Sequence, residues 1–185
     1  MLEIRWHSRA GQGAVTGAKG LADVISTTGK HVQAFAFYGS AKRGAAMTAY
    51  NRVDDKIIMN HEKYMEPDYV LVIDPALLYT TDVTINHKEN TVYIITTHMS
   101  TEELIASQPR LEGKEVHTVD CIKIAQETIG RPIPNTPMLG ALMKVSGMYK
   151  IDFFKENMIR VLGKLPQKII DANMIAIQRA YDEVK

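Results

Sequence analysis

The sequence has 185 residues, of which 45% are hydrophobic, and its 22 basic and 21 acidic side chains leave a formal net charge of +1. This length and composition predict one domain over residues 1–185 with a sizeable core, and they exclude a disordered chain as the default. The balanced charge gives no sign of a nucleic-acid partner, and no apolar run approaches the length of a membrane span. The start, MLEIRWH, lacks the apolar core of a signal peptide, so we expect a cytoplasmic protein.

The first part of the chain predicts a strand–helix–strand unit. Residues 2–6 form a short, apolar-leaning stretch, and residues 31–37 alternate weakly and are rich in Val and Phe, so both stretches predict strands. Between them, residues 14–28 carry apolar side chains at three- and four-residue steps, which predicts a helix, and Gly29 is placed to end it. After the second strand, residues 47–53 and 56–60 flank Asp54-Asp55, which suggests a β-hairpin.

The rest of the chain alternates strands with helices and then becomes helical. Residues 69–73 (YVLVI) are a continuous apolar run, as in a parallel strand covered on both faces, and residues 91–96 and 115–119 repeat that strand character. Three residues are placed to cap helices: Ser100 with Glu103 in a capping box, Asp120, and Thr136 before Pro137. An apolar stripe follows Pro166. The sequence therefore predicts an α/β fold, a Rossmann-like, mostly parallel sheet flanked by helices, with a helical C-terminus.

The single cysteine and the histidines limit the chemistry of the chain. Cys121 alone can form neither an internal disulfide nor an ordinary four-thiolate iron–sulfur cluster. No pair of the six histidines has the close helical spacing of a zinc site, so we predict no metal site. A helix cap precedes Cys121, but its neighbours are apolar, so we interpret it as a buried structural thiol. We predict no catalytic residue in this chain.

The segment RAGQG, residues 9–13, lies between the first strand and the first helix, where phosphate-binding turns occur. Backbone N–H groups at a helix N-terminus attract anions, and glycine lets a ligand approach the backbone. The dinucleotide pattern G-x-G-x-x-G fails because Thr16 stands at the third glycine position. The Walker pattern fails at residues 18–20, AKG. The residues alone leave two interpretations open, an anion-binding turn and a tight turn without a ligand.

Four stretches together resemble one family: RAGQGAVTGAKGLA, QAFAFYGSAKRGAAMTAYNRV, YVLVIDPALL and IPNTPMLGAL. The likeness is to gamma subunits of the 2-oxoacid:ferredoxin oxidoreductases, most closely those for pyruvate, and it covers essentially the whole chain. The sequence departs from the family pattern in both loops. Ala10 replaces a glycine of the Arg-Gly-Gly-Gln-Gly loop, and Ala41 replaces the acidic residue before the basic pair Lys42 and Arg43.

The resemblance implies a multisubunit enzyme that oxidatively decarboxylates a 2-oxoacid, transfers the acyl group to coenzyme A and passes electrons to ferredoxin. It implies that thiamine diphosphate, magnesium and the [4Fe–4S] clusters belong to partners, the alpha, beta and delta-type subunits. The sequence agrees, because it has neither a cysteine quartet nor a Gly-Asp-Gly stretch of the kind that binds magnesium and diphosphate. We therefore expect the chain alone to be inactive.

Six residues are the candidate binding site that this resemblance implies: Arg9, Gly11, Gln12, Gly13, Lys42 and Arg43. They would hold the phosphates of coenzyme A at a shared site through backbone N–H groups, the helix dipole and charge-assisted bonds. The alternatives are a structural turn with Arg9 at a subunit interface, and a solvated basic loop. For the whole chain, the alternatives are a purely structural subunit and a gamma subunit for another 2-oxoacid, such as 2-oxoglutarate or 2-oxoisovalerate.

Two further features predict packing or contact with other subunits. The segment NTPMLGA, residues 135–141, carries Gly140-Ala141, which permit close packing against another element. Tyr38, beside the basic loop, is a candidate interface aromatic or a cover for the core.

Overall fold

The computed structural model describes residues 1–39, 44–60, 62 and 66–185. The strands in these residues are β1 (Leu2–Arg9), β2 (His31–Tyr38), β3 (Ala46–Asp54), β4 (Tyr69–Val72), β5 (Val92–Thr96) and β6 (Glu115–Val119). The α-helices are α1 (Ala14–Ser26), α2 (Leu77–Thr80), α3 (Thr101–Ser107), α4 (Cys121–Thr128), α5 (Asn135–Ser146), α6 (Ile151–Val161) and α7 (Gln167–Glu183). A 3-10 turn spans Pro109–Leu111.

The described strands form one sheet in the order β2-β3-β1-β4-β5-β6. Strands β1, β4, β5 and β6 pair in parallel, whereas β3 runs antiparallel to both β1 and β2. The sheet thus consists of four parallel strands, β1, β4, β5 and β6, and is extended beyond β1 by the antiparallel hairpin of β2 and β3. This arrangement and the helical C-terminus confirm the predicted α/β class.

The larger core lies on one face of the sheet, under α1 and the C-terminal helices. On β1, Ile4 and Trp6 point into this core, and α5 and α7 add Leu142 and Ile177. A smaller cluster around Val70 and the residues of α2 and α3 covers the other face of β4 and β5. Both faces of the parallel strands are therefore covered, which explains why YVLVI reads as a continuous apolar run. No helix of the described residues is long and apolar enough to cross a membrane.

The antiparallel partner of β3 differs from the prediction. Residues 56–60 form no strand, and the hairpin consists of β2 and β3 instead. Two carbonyl oxygens after β3, those of Ile58 and Asn60, accept hydrogen bonds from the side chains of Gln33 and Arg52, at 3.1 and 2.8 Å. Because side chains of the sheet occupy these carbonyls, the segment does not add a strand, and the prediction of a strand at 56–60 was wrong.

The helix caps are partly as predicted. Ser100 and Asp120 cap α3 and α4. The α5 helix begins earlier than expected, at Asn135 with Pro134 as its N-cap, so Thr136 lies inside the helix. The Asn135 side chain accepts the Thr136 N–H at 2.9 Å, which satisfies one of the free N–H groups of the first turn.

Candidate functional site

The glycine turn lies at the carboxyl end of β1, where the strand order reverses. From β1 the chain passes through α1 to β2 on one side, while β4 lies on the other side of β1. Ligands of open α/β sheets bind at the carboxyl ends of strands at such a reversal. Asp74 lies in the loop that follows β4, and its side chain contacts the glycine turn at this reversal point.

The turn is closed by its own side chains. Gly11 and Gly13 have φ angles of +97° and +87°, a left-handed conformation that glycine adopts without steric cost. The backbone N–H of Gln12 donates to the Arg9 carbonyl at 3.2 Å. The Gln12 side-chain oxygen accepts the Arg9 N–H at 2.7 Å and the Ser8 hydroxyl at 3.2 Å. Gln12 therefore builds the turn instead of pointing a free amide at a ligand.

Asp74 binds both polar side chains of the turn. Its Oδ2 accepts Arg9 Nε and Gln12 Nε2, each at 2.9 Å, and its Oδ1 accepts the Ala76 N–H at 2.9 Å. The Asp74 side chain is 11% exposed and that of Arg9 34%. Arg9 Nη1 also donates to the Gly44 carbonyl at 3.0 Å. Arg9 thus ties together the loops that leave β1, β2 and β4, and its charge is paired.

Sequence reasoning missed Asp74. It is not among the six predicted site residues, although it directly follows the apolar run YVLVI. The signal that could have found it is general: a polar residue that follows a parallel strand lies at the carboxyl edge of the sheet, beside the loop of the neighbouring strand.

The N-terminus of α1 has two features of an anion site. Its N-cap, Gly13, supplies no side-chain hydrogen bond, and the first turn has no acidic residue. The first N–H groups of a helix lack intrahelical partners and carry the positive end of the helix dipole. A Cβ atom built on Gly11 would meet no described heavy atom within 4 Å, so space lies open beside the turn.

The segment NTPMLGA packs against this turn. A Cβ atom on Gly13 would lie 2.7 Å from Asn135 Nδ2, and one on Gly17 would lie 3.2 Å from the Trp6 ring. Beside this contact, α1, α5 and α6 form a groove of about 320 Å³, with Leu139 at its wall and exposed Lys19 at its rim. The partly apolar groove therefore lies near the turn, because Asn135 lines the groove and also lies beside Gly13.

The structure brings four of the six predicted site residues together: Arg9, Gly11, Gln12 and Gly13 form one turn. Lys42 and Arg43 lie outside the described residues. The nearby Gly44 and Ala45 accept hydrogen bonds from Arg9 Nη1 and the Ala10 N–H, at 3.0 and 3.3 Å.

Three other residues singled out from the sequence lie as follows. Tyr38 is 64% exposed, as an interface aromatic would be. Cys121 is buried, and this burial raises the pKa of its thiol, which confirms the structural interpretation. A Cβ atom on Gly140 would overlap the Ile177 carbonyl oxygen, which confirms close packing at that position.

In the described part of the chain, no group of three or more His, Cys, Asp or Glu side chains could hold a metal ion.

Residues 3–183 match the family described as pyruvate ferredoxin/flavodoxin oxidoreductase. The chain belongs to this family. It is 47% identical over 152 residues to the "pyruvate/ketoisovalerate oxidoreductases common subunit gamma" of Pyrococcus abyssi, which covers 82% of each chain. It is 41% identical over 184 residues to the pyruvate synthase subunit PorC of Thermotoga maritima, which covers 99% of this chain and 94% of that one.

Two solved structures share the fold. The crystal structure of the Thermotoga maritima pyruvate oxidoreductase subunit PORC matches with a TM-score of 0.84 and 38% identity, and covers 100% of this chain and 97% of that chain. A 2-oxoglutarate:ferredoxin oxidoreductase from Magnetococcus marinus, solved with 2-oxoglutarate, coenzyme A and succinyl-CoA bound, matches with a TM-score of 0.76. Its identity is 18%, and the match covers 98% of this chain and 30% of that chain.

These relatives confirm the resemblance found in the sequence. The chain is a gamma-type subunit of a multisubunit oxidoreductase of the pyruvate:ferredoxin oxidoreductase family. Its curated relatives are named for pyruvate and for ketoisovalerate.

Proposed function

We propose that this gamma-type subunit binds the phosphates of coenzyme A at the turn formed by residues 9–13. The observation that carries the proposal is the N-terminus of α1: it begins at a left-handed glycine, lacks a side-chain cap and has no acidic residue in its first turn. Such a helix start is an anion-binding site. The Magnetococcus marinus enzyme, which shares the fold, has coenzyme A bound.

Backbone groups carry most of this proposed binding. Two guanidinium nitrogens of Arg9 already donate to Asp74 and Gly44. The N–H groups of the first helical turn, by contrast, are left without intrahelical acceptors. Arg9 then adds a charge-assisted contact at the edge of the site through the exposed part of its guanidinium. The groove beside α1 leaves room for the part of the ligand that carries no phosphate.

We infer that the redox and decarboxylation chemistry belongs to partner chains, the alpha, beta and delta-type subunits, and that ferredoxin accepts electrons from the complex. One cysteine cannot supply the four thiolates of an ordinary [4Fe–4S] cluster, and Cys121 is buried. The residues of this chain therefore do not fit such a cluster, and the sequence holds no recognisable site for thiamine diphosphate and magnesium.

The test of the binding proposal is the Arg9→Ala variant in the assembled complex. We expect the KM for coenzyme A to rise about tenfold, because one charge-assisted hydrogen bond is lost, while the KM for pyruvate stays unchanged. Arg179→Ala is the matched control, because this arginine forms surface ion pairs on α7 with Glu127 and Glu183, at 2.9 Å each.

Two outcomes would favour the alternatives to coenzyme A binding. An intact Arg9→Ala complex with unchanged coenzyme A kinetics supports the structural-turn interpretation. Failure of Arg9→Ala to assemble, while Arg179→Ala assembles, places the turn at a subunit interface.

A separate assay tests the location of the chemistry. The purified chain, given pyruvate and coenzyme A, should not reduce a viologen dye. Turnover that survives repurification would show that this chain holds a reacting centre of its own.

A further inference from the structure

The Asp74 carboxylate accepts hydrogen bonds at the point where the loops at the carboxyl edge of the sheet come together. Its two carboxylate oxygens take three donors, each at 2.9 Å: Arg9 Nε, Gln12 Nε2 and the Ala76 N–H. Through Arg9 Nη1 the contact extends to the Gly44 carbonyl, in the loop that enters β3. A carboxylate that is 11% exposed and bound to three donors is held in one orientation.

Two physical effects of Asp74 on an anion oppose each other. Its negative charge repels a phosphate and neutralises Arg9, so charge alone predicts that removal of Asp74 strengthens anion binding. Its hydrogen bonds act in the other direction. They fix the Gln12 amide, whose oxygen in turn holds the Arg9 N–H, and they fix the guanidinium of Arg9.

In this turn, the hydrogen bonds of Asp74 affect anion binding more than its negative charge does. Gly11 and Gly13 are the two left-handed residues of the turn, and glycine restricts its own backbone less than any other residue. The conformation of such a turn is therefore restricted mainly by hydrogen bonds from residues other than the two glycines. Without Asp74, the Gln12 amide nitrogen loses its acceptor, and Arg9 retains its hydrogen bond to Gly44. A ligand would then have to order the turn as it binds, which weakens binding.

We propose that Asp74 is a positioning residue for coenzyme A: it holds Arg9 and Gln12 so that the anion site is formed before the ligand arrives. This inference rests on the proposed function of the turn. Asp74 acts through the two side chains it binds and does not itself touch the ligand.

The test uses the assembled complex with the variants Asp74→Ala, Asp74→Asn, Arg9→Ala and the double variant Arg9→Ala/Asp74→Ala. Asp74→Ala should raise both the KM and the calorimetric Kd for coenzyme A about tenfold, although a negative charge is removed, and should leave the KM for pyruvate unchanged. Asp74→Asn retains one acceptor oxygen and should give a smaller rise. Because Asp74 acts partly through Arg9, the effects in the double variant should be less than additive.

Asp55→Ala is the matched control. It removes an aspartate that pairs with Lys30 at 2.7 Å, at the opposite edge of the sheet, where β3 ends. The coenzyme A kinetics of this variant should equal those of the wild type.

The outcomes separate this inference from the proposed function. If Arg9→Ala weakens coenzyme A binding but Asp74→Ala leaves it equal or tighter, Asp74 acts only as a charge and the inference is overturned. If the effects are fully additive in the double variant, Asp74 does not act on coenzyme A binding through Arg9. If neither single variant changes coenzyme A binding, the proposed function itself is wrong. Should Asp74→Ala fail to assemble, the binding constant of Asp74→Asn decides: wild-type affinity overturns the inference.

Discussion

Gly13 and Asn135 are in such close contact that a Cβ atom on the glycine would lie 2.7 Å from the Asn135 Nδ2 atom and 3.2 Å from its Cβ atom. Gly13 caps α1, and Asn135 is the first residue of α5. The two motifs that stand out in the sequence, RAGQG and NTPMLGA, therefore meet in the fold. Asn135 lies directly beside the turn, so a side chain at position 13 requires the Asn135 side chain to move.

The two glycines of the turn should respond differently to substitution. Gly11→Ala has open space around the new Cβ atom and should lose about 1 kcal/mol of unfolding free energy, the cost of a left-handed backbone. Gly13→Ala should lose about 1–3 kcal/mol more, because Asn135 must also move. Urea unfolding of the chain measures both values. Equal losses in the two variants would show that Asn135 yields without cost.

Helical glycines provide a second contrast. On Gly140 in α5, a Cβ atom would overlap the Ile177 carbonyl oxygen of α7 and lie 2.8 Å from its carbonyl carbon. Backbone cannot move aside as a side-chain end can, so Gly140→Ala should destabilise the chain by about 3 kcal/mol. On Gly20 in α1, a Cβ atom would lie 3.6 Å from Met158 Cε, an ordinary contact. Gly20→Ala should therefore be neutral or stabilise by up to about 1 kcal/mol through helix propensity. Thermal melts of the two variants should shift in opposite directions or differ by several degrees.

The sequence predicts those strands and helix caps that depend on residues close to one another in the chain. Residues 69–72 of the run YVLVI form β4, because a parallel strand that is covered on both faces is apolar throughout. The capping box of Ser100 and Glu103 likewise depends on neighbours in the sequence. The predicted strand at 56–60 failed because its carbonyls bind side chains from β2 and β3, which is a tertiary effect.

Part of the candidate site can likewise be predicted from neighbouring residues, and part of it cannot. The glycine turn is visible in the sequence, because a strand, two glycines and a helix follow one another. The partners that shape the turn are distant in sequence: Asp74 follows β4, and Asn135 begins α5. Strand order decides which loops are adjacent, and residue spacing alone does not give that order. The short helix α2 was missed because four residues are too few to show a period.

A buried ion pair should make Arg52 important for stability. Its side chain is fully buried, and Nε donates to Glu3 Oε1 at 3.0 Å, while Nη1 and Nη2 donate to the Asn60 and Glu62 carbonyls at 2.8 and 2.9 Å. Arg52→Ala leaves Glu3 buried without its partner and should lose about 3–5 kcal/mol of unfolding free energy. Arg179→Ala, which breaks exposed ion pairs, should lose less than about 1 kcal/mol. Comparable losses in urea unfolding would show that solvent reaches the Arg52 pair.

The stability of the chain should depend on pH through His7. Burial, joined by the positive charge of Arg5, lowers the pKa of His7 to about 3. Its Nε2 atom is buried and has no hydrogen-bond partner among the described residues, so none of these residues stabilises a second proton on the ring. In the unfolded chain the ring has a pKa of about 6.5. Below about pH 6.5 the unfolded state therefore binds a proton that the folded state excludes, and stability falls as the pH falls toward 3.

This difference gives a quantity that can be measured. Between pH 7 and pH 5, the wild-type chain should lose about 2 kcal/mol more unfolding free energy than His7→Gln, which has no ring to protonate. His98→Gln is the control, because His98 is exposed and should leave the pH dependence of the wild type unchanged. Urea unfolding at the two pH values measures all three chains. If His7→Gln loses as much stability on acidification as the wild type, the His7 ring takes up a proton in the folded state, and another group must cause the pH dependence.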